Sequence, residues 1–231
     1  GNHRDYPWAT VVEHLSLAAA AACGLPVPGN QLSADGRLLA VERFDVRGGT
    51  VLGFDEACPL LGLLSAEKYD GSYERMCRQL LRFVAPAARA ETAQALLKQL
   101  TLCYAIENGD AHLKNFGLLY DEPADARLSP VYDVLTTTCF ATMQRDRPAL
   151  TLGGRKVWDA YGELEQLFGR TLLLPRPTIR TIFGEVLDGV RATLPRFIEM
   201  RERFPQAAET LRLAEQAWQR GMERLAAQLA R

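Results

Sequence analysis

The sequence predicts an α+β chain that is mainly α. Three observations carry this. Apolar residues recur at helical spacing over long stretches: Tyr73 to Val84, Glu91 to Asn108, Thr178 to Met200 and Gln206 to Leu229. Strand patterns are short and fall in two regions, Leu38 to Asp45 and Phe116 to Tyr132. Between the second of those helices and the second strand region lies Asn108-Gly109-Asp110-Ala111-His112-Leu113-Lys114-Asn115-Phe116-Gly117, which sets a carboxylate, an imidazole, an ammonium and two amides close together on a turn.

Taken in order, Pro7 to Cys23 reads as a first helix. Asp5 is near its expected N-cap, Pro7 suits its first turn and Gly24 stands past its end. Val11, Val12, Leu15, Ala18, Ala19 and Ala22 form its apolar stripe, and Glu13 and His14 read as a solvated face. Leu25 to Gln31 holds two prolines and is expected to be extended. Leu38 to Asp45 is a short strand, and Gly48-Gly49 a turn. A boundary near Arg47 to Thr50 divides residues 1–47 from a mostly helical part, 48–231.

Pro86 ends the helix begun at Tyr73. Gly109 takes the left-handed position expected past the end of the next helix, which delivers Asp110 at a fixed point. Phe116 to Tyr120, a turn at Asp121 to Asp125 and a return strand from Arg127 to Tyr132 make a hairpin. Such a hairpin brings Asn115 and Asp133 to the same end. Ala149 to Gly154 is a short extended piece and turn, and Asp159 to Phe168 a short helix. The Thr178 helix bends at Pro195. In the last helix Leu211, Ala214, Trp218, Leu225 and Leu229 are core.

Composition narrows the function. The chain has 231 residues, 48% of them hydrophobic and 24% charged, which is ordinary for a globular protein. Lys+Arg 27 against Asp+Glu 28 gives a net charge of −1, and nothing in this balance suggests a basic surface for direct nucleic-acid or membrane binding. Cys23, Cys58, Cys77, Cys103 and Cys139 are odd in number and scattered, which favours a reducing compartment over a disulfide framework or a structural zinc. No apolar run reaches the roughly 18–20 residues of a membrane span. Leu15 to Cys23 lacks the flanks of a signal peptide. The expected location is the cytoplasm.

The spacing defines a chemistry. Asp110 can accept a proton from an attacking hydroxyl. Asn115 and Asp133 offer hard oxygen ligands for a cation such as Mg2+. Lys114 can neutralise a phosphate oxygen and is grouped with Asp110 as catalytic. His112 reads as a packed, hydrogen-bonded support of the loop on the nucleotide side. Asp110 and Asn115 stand in the D-x-x-x-x-N spacing that protein kinases show in their catalytic loop, with a hairpin and a second Asp following. The fold expectation is therefore a kinase-like helical C-lobe with a remnant of the N-lobe and short hairpins. A metal-dependent hydrolase using Asp110, His112 and Asp133 stays open, although only His3 and His14 remain as further histidines.

Several segments also resemble a known family. Gly109-Asp110-Ala111-His112-Leu113-Lys114-Asn115-Phe116 resembles the D-x-H-x-K-N-F segment of HipA-like toxin kinases. Pro130-Val131-Tyr132-Asp133-Val134-Leu135-Thr136 resembles the P-x-Y-D-[IV]-L-[ST] segment, and Val41-Glu42-Arg43-Phe44-Asp45 the V-E-R-F-D hinge, of the same family. Glu67-Lys68-Tyr69 and Leu150-Thr151-Leu152-Gly153-Gly154 match lesser signatures. The resemblance implies a serine/threonine protein kinase toxin using ATP and Mg2+ and held in check by a HipB-like DNA-binding antitoxin. It implies Asp110 as base, Asn115 and Asp133 as magnesium ligands, and adenine contacts at Glu42, Arg43 and Phe44, made by backbone groups at Glu42 and Phe44. A non-catalytic kinase-like module that only engages an antitoxin is the alternative.

One departure stands out. Members of that family carry a phosphate-gripping loop and a strand Lys before the first helix, and this sequence has no Lys before Lys68. The expectation is that the chain is the later part of such a kinase. The upstream segment would be supplied in cis or in trans, with little activity without it, and Glu13 is a candidate partner for the absent Lys.

Overall fold

The computed structural model describes residues 5–231. Among the histidines named above, His3 lies outside them. Helix α1, Ala9–Ala22, starts later than the sequence suggested. Trp8, at φ 63°, occupies the N-cap position, so Asp5 is not the cap. Of the expected stripe, Val11, Val12, Leu15 and Ala19 are buried, but Ala18 is half-buried and Ala22, the last helical residue, is exposed. Glu13 and His14 are half-buried and not on a solvated face. The His14 ring sits between Asn30 Oδ1 at 2.7 Å and an Arg196 guanidinium nitrogen at 3.3 Å.

Two small hairpins follow. Strand β1 (Asn30–Leu32) pairs antiparallel with β2 (Leu39–Val41), the short core of the Leu38 to Asp45 pattern. Strand β3 (Val46–Arg47) pairs with β4 (Thr50–Val51) around Gly48 and Gly49, whose φ of 56° and 84° suit glycine. Strand β5 (Gly53–Glu56) was not expected, because the pattern from Phe54 onward reads as helix. It leads into the one-turn helix α2 (Ala57–Leu60). After α2 come α3 (Tyr73–Phe83), capped by the Ser72 side chain, and α4 (Arg89–Ala105).

The expected hairpin is the outer part of a three-stranded antiparallel sheet. Strand β6 (Gly117–Tyr120) pairs with β5, Glu56 facing Gly117 and Gly53 facing Tyr120. On its other side it pairs with β7, which is only Arg127–Leu128. The predicted return strand to Tyr132 stops early because Pro130 cannot donate to a ladder. Val131 N–H turns instead to the carbonyl of Pro26 at 2.8 Å, which ties this strand to the segment after α1.

The rest is helical. Helix α5 (Tyr161–Gln166) continues into a π turn, Leu167–Thr171. Helix α6 (Arg176–Thr193) breaks at Leu194, and α7 (Pro195–Arg203) begins on the proline that marked the bend. Helix α8 (Ala208–Leu229) closes the chain. Helix α4 is the centre of this layer, packed against α6 and α8. Its Ala93, Leu96, Leu97, Leu100, Cys103 and Tyr104 are buried, and so are Thr92, Gln99 and Thr101 on its other faces. Trp218 of α8 is fully buried; its ring meets Phe197 edge-on at 4.9 Å and its N–H donates to Thr136 Oγ1 at 2.6 Å. The five cysteines are buried free thiols.

Helices α4 and α8 touch where α8 has no side chain. A Cβ on Gly221 would overlap the backbone carbonyl of Ala105, which cannot rotate away. Gly221→Ala is therefore expected to lower stability by about 1–3 kcal/mol despite the better helix propensity of Ala. Denaturant unfolding of the two proteins checks this; equal stability would mean that the helices separate at no cost.

Candidate active site

The polar loop 108–117 is held at both ends. Helix α4 stops at Ala105, earlier than expected, and the left-handed residue is Glu107 at φ 53°, not Gly109. Gly109 is required for a different reason. A side chain there would collide with the Asp146 carboxylate and the Thr137 hydroxyl. Its N–H donates to Thr137 Oγ1 at 2.9 Å, and that hydroxyl donates to Asp146 Oδ2 at 2.7 Å. At the other end, Phe116 O accepts from Ala57 N–H at 2.7 Å, just before β6 begins.

Inside the loop the amides do the folding. Asn108 Oδ1 accepts from Asp110 N–H at 3.1 Å, and Asn115 Oδ1 accepts from His112 N–H at 2.9 Å. The Asn115 NH2 donates to Asp133 Oδ2 at 2.6 Å. The hairpin thus brings these two residues together as its spacing predicted. Asp133 stands at φ 51°, in the left-handed region that Asp tolerates better than most non-glycine residues.

Asp110 and His112 form a second cluster. Asp110 Oδ1 accepts from the Tyr69 hydroxyl at 2.6 Å, and His112 Nε2 lies 4.0 Å from the same oxygen. The His112 side chain is 5% exposed and that of Asp110 36%, so the ring is packed while the carboxylate reaches solvent. Burial lowers the His112 pKa below its ordinary value, against the pull of the Asp110 charge. Lys114 N–H points at His112 Nδ1 at 3.3 Å, which leaves the ring proton on Nε2, towards Asp110. Lys114 itself faces β5, its ammonium 3.7 Å from Glu56.

The segment after β2 lies beside these groups. The Phe44 ring packs on Tyr132 at 5.2 Å and on Phe54 at 5.4 Å, and Tyr132 O–H donates to Lys114 O at 2.6 Å. Glu42 N–H donates to Gly29 O at 2.8 Å. Among the described residues, Glu42 C=O and Phe44 N–H have no backbone partner. Arg43 is exposed and grips Asp45 through two hydrogen bonds, of 3.0 and 2.6 Å. Glu13 of α1 feels the same region: burial and the charge of Asp133 push its carboxyl up to about 7.

The HipA-like C-terminal domain family matches residues 2–194. The chain belongs to that family. It is 31% identical over 207 residues to “Putative kinase Y4mE” and 28% identical over 201 residues to “Putative kinase Y4dM”, both of Sinorhizobium fredii. Each alignment covers 84% of this chain and 48% of the relative, so the HipA-like chain spans about half the length of these relatives. In structure it is similar to a chain of the Shewanella oneidensis toxin-antitoxin complex of HipA, HipB and operator DNA, with TM-score 0.73 and 19% identity over 94% of this chain and 55% of that one. It is also similar to the Helicobacter pylori proinflammatory kinase CtkA, with TM-score 0.52 and 13% identity over 96% and 85% of the two chains. The fold is kinase-like and mainly helical.

The donor set of the HipA-like site suits a magnesium ion. Mg2+ takes one or two protein oxygens and completes its shell with phosphates and water. Asp133 supplies a carboxylate, and Asn115 could supply an amide oxygen once that amide turns away from His112 N–H. The hydrolase alternative would need more ligands, and among the described residues no three His, Cys, Asp or Glu side chains form a metal-holding group. A cleft of about 940 Å³ opens elsewhere, between α4, α6 and β7 with Lys98 and Glu185 in its walls, and contains none of the site residues.

Sequence reasoning assigned no role to Glu107, and the structure gives it one. Its side chain is 3% exposed, with Arg220 and Arg224 each 2.7 Å away and the Thr138 hydroxyl donating at 2.6 Å. Burial alone would raise its pKa, but the bonds from Arg220, Thr138 and Arg224 outweigh it and hold the carboxyl below its ordinary 4.5. A carboxyl lowered in the folded state stabilises the fold above its unfolded pKa, and that stability is lost as pH falls through the folded value. Glu107→Gln is expected to cost about 3 kcal/mol at neutral pH. The difference from wild type should shrink as unfolding is measured below pH 4.5. A cost that does not change with pH would mean that the carboxylate charge is not what holds the network.

Proposed function

We propose that this chain is the catalytic part of a serine/threonine protein kinase toxin that transfers the γ-phosphoryl group of ATP to a protein hydroxyl. The observation that carries the reading is the closure of Asn115 on Asp133 at 2.6 Å, on the same loop that presents Asp110. In this reading Asp110 takes the proton of the acceptor hydroxyl as the hydroxyl oxygen bonds to the γ-phosphorus and the bond to the β–γ bridging oxygen breaks, ADP leaving. Asn115 and Asp133 would hold magnesium, which, bound with ATP, neutralises charge on the phosphates as the phosphoryl group moves. Glu42 C=O and Phe44 N–H, without backbone partners among the described residues, would serve as acceptor and donor for the adenine edge. His112 would keep the base in place as a neutral, packed ring. Lys114 reaches a phosphate only by leaving Glu56, so its assignment rests on its charge and its place on the loop.

Residues 1–47 would be hinge and partial N-lobe, and residues 48–231 the helical lobe. The activity is proposed for the full-length protein, in which a lysine from the remaining sequence would pair with Glu13. The Shewanella HipA chain forms a complex with HipB and operator DNA. A HipB-like antitoxin is accordingly the proposed partner here, with DNA reached through it, and the proposed location is the cytoplasm.

Two variants test the roles. In the full-length protein, Asp110→Asn should keep the fold, by circular dichroism, and cut phosphoryl transfer by about 10²–10⁴. Near-normal turnover would sink the base assignment. Asp133→Ala should weaken nucleotide binding in the presence of magnesium and leave metal-free binding nearly unchanged, as followed by calorimetry. Equal losses in both conditions would point to a structural role.

A further inference from the structure

Glu67-Lys68-Tyr69 has no part in the reaction above, yet its tyrosine touches the proposed base. The Tyr69 hydroxyl donates to Asp110 Oδ1 at 2.6 Å across 41 residues of sequence. We infer that Tyr69 is a positioning residue for Asp110, fixing one carboxylate oxygen so that the other faces the acceptor hydroxyl. The inference rests on the reading of Asp110 as the base and adds a second residue that acts through it.

Three observations support it. First, the chain that carries Tyr69 is fastened to the catalytic loop on both sides. Leu113 N–H donates to Lys68 O at 3.1 Å, and Tyr73 O–H donates to Ala111 O at 3.0 Å. The preceding turn is closed by Leu64 N–H on Glu67 Oε2 at 2.7 Å. Second, the Tyr69 ring is itself held, edge-on against His112 at 5.2 Å with the Lys68 ammonium 4.9 Å over its face. Third, burial and then the Asp110 carboxylate raise the phenol pKa, so Tyr69 stays a donor. With Oδ1 so engaged, the solvent-reaching part of Asp110 is left for a substrate. A mobile cap that occupies the acceptor's place would need a loose segment, and this one is bonded to the loop it would have to leave.

The test uses the full-length protein with radiolabelled ATP-magnesium and casein as the acceptor probe. Tyr69→Phe keeps the ring on His112 and removes only the donor. It should lower kcat about tenfold, the worth of one hydrogen bond to a charged group, with KM for ATP and the thermal midpoint unchanged. In an Asp110→Asn background the same change should cost nothing further, because Tyr69 acts through that carboxylate. An unchanged kcat, or a fall that simply adds in the double variant, overturns the inference. A lower KM for casein would make Tyr69 a competing cap, which also overturns it. Near-normal turnover of Asp110→Asn alone would instead overturn the base reading, whatever Tyr69 does. No transfer in any version would sink both.

Discussion

A buried carboxylate, Glu107, sets the frame for the site. It stands where α4 has ended and the polar loop has not yet begun, in a left-handed conformation unusual for its type. Its two oxygens take Arg220 and Arg224 from α8, and Thr138 from the segment after Asp133. Thr137 N–H adds a bond to its carbonyl at 3.2 Å. One residue therefore joins the end of α4, the last helix and the chain beyond Asp133. A charge removed from water is tolerable only when all its lone pairs are used, and such a group admits few alternative arrangements. Gly109, two residues on, then inherits a position defined by Thr137 and Asp146.

The second constraint comes from the sheet. Strand β6, which begins two residues after Asn115, anchors that end of the loop by pairing on both sides, with β5 and with β7. The Phe44, Phe54 and Tyr132 rings then draw three separate stretches of chain together, and Tyr132 closes on Lys114 O. Aromatic contacts of this kind add stability beyond area and have preferred geometry, so they also set orientation. The segment after β2 is thereby linked to Tyr132, the residue before Asp133, by packing.

Legibility in the sequence followed the range of the forces involved. The helices were readable because each carries its own periodic stripe; α3, α4 and α8 fall where the pattern placed them, within a few residues at their ends, and the Thr178 to Met200 pattern is split into α6 and α7 at the expected Pro195. The Asn115–Asp133 pair was readable because a short hairpin joins them. Strand β5 was not, since four residues beginning with Gly53 have no pattern of their own and gain strand form only from β6, more than sixty residues later. Gly109 shows a different limit. A glycine can answer a positive φ or a close approach, and sequence does not say which. Glu13 and His14 looked like solvated helix residues because their partners, from Asn30, Asp133 and Arg196, arrive from elsewhere in the chain.

The proposed chemistry of the site is closer together in the sequence than the groups that support it. The groups proposed for phosphoryl transfer stand on one loop and one following turn, joined by a short hairpin. That closeness leaves Asp110, Asn115 and Asp133 near one another in the sequence. The groups that hold them do not share that closeness. Glu107 draws its partners from α8, more than a hundred residues away, and Asp110 draws Tyr69 from before α3. Lys114 draws Glu56 from β5. Each of these pairs joins residues of ordinary type whose meaning depends on the folded chain. Support residues must come from several elements if they are to fix a loop against rotation, because bonds to a single neighbour leave a hinge. The scattering that hides them from a reading of the sequence is thus a consequence of what they do.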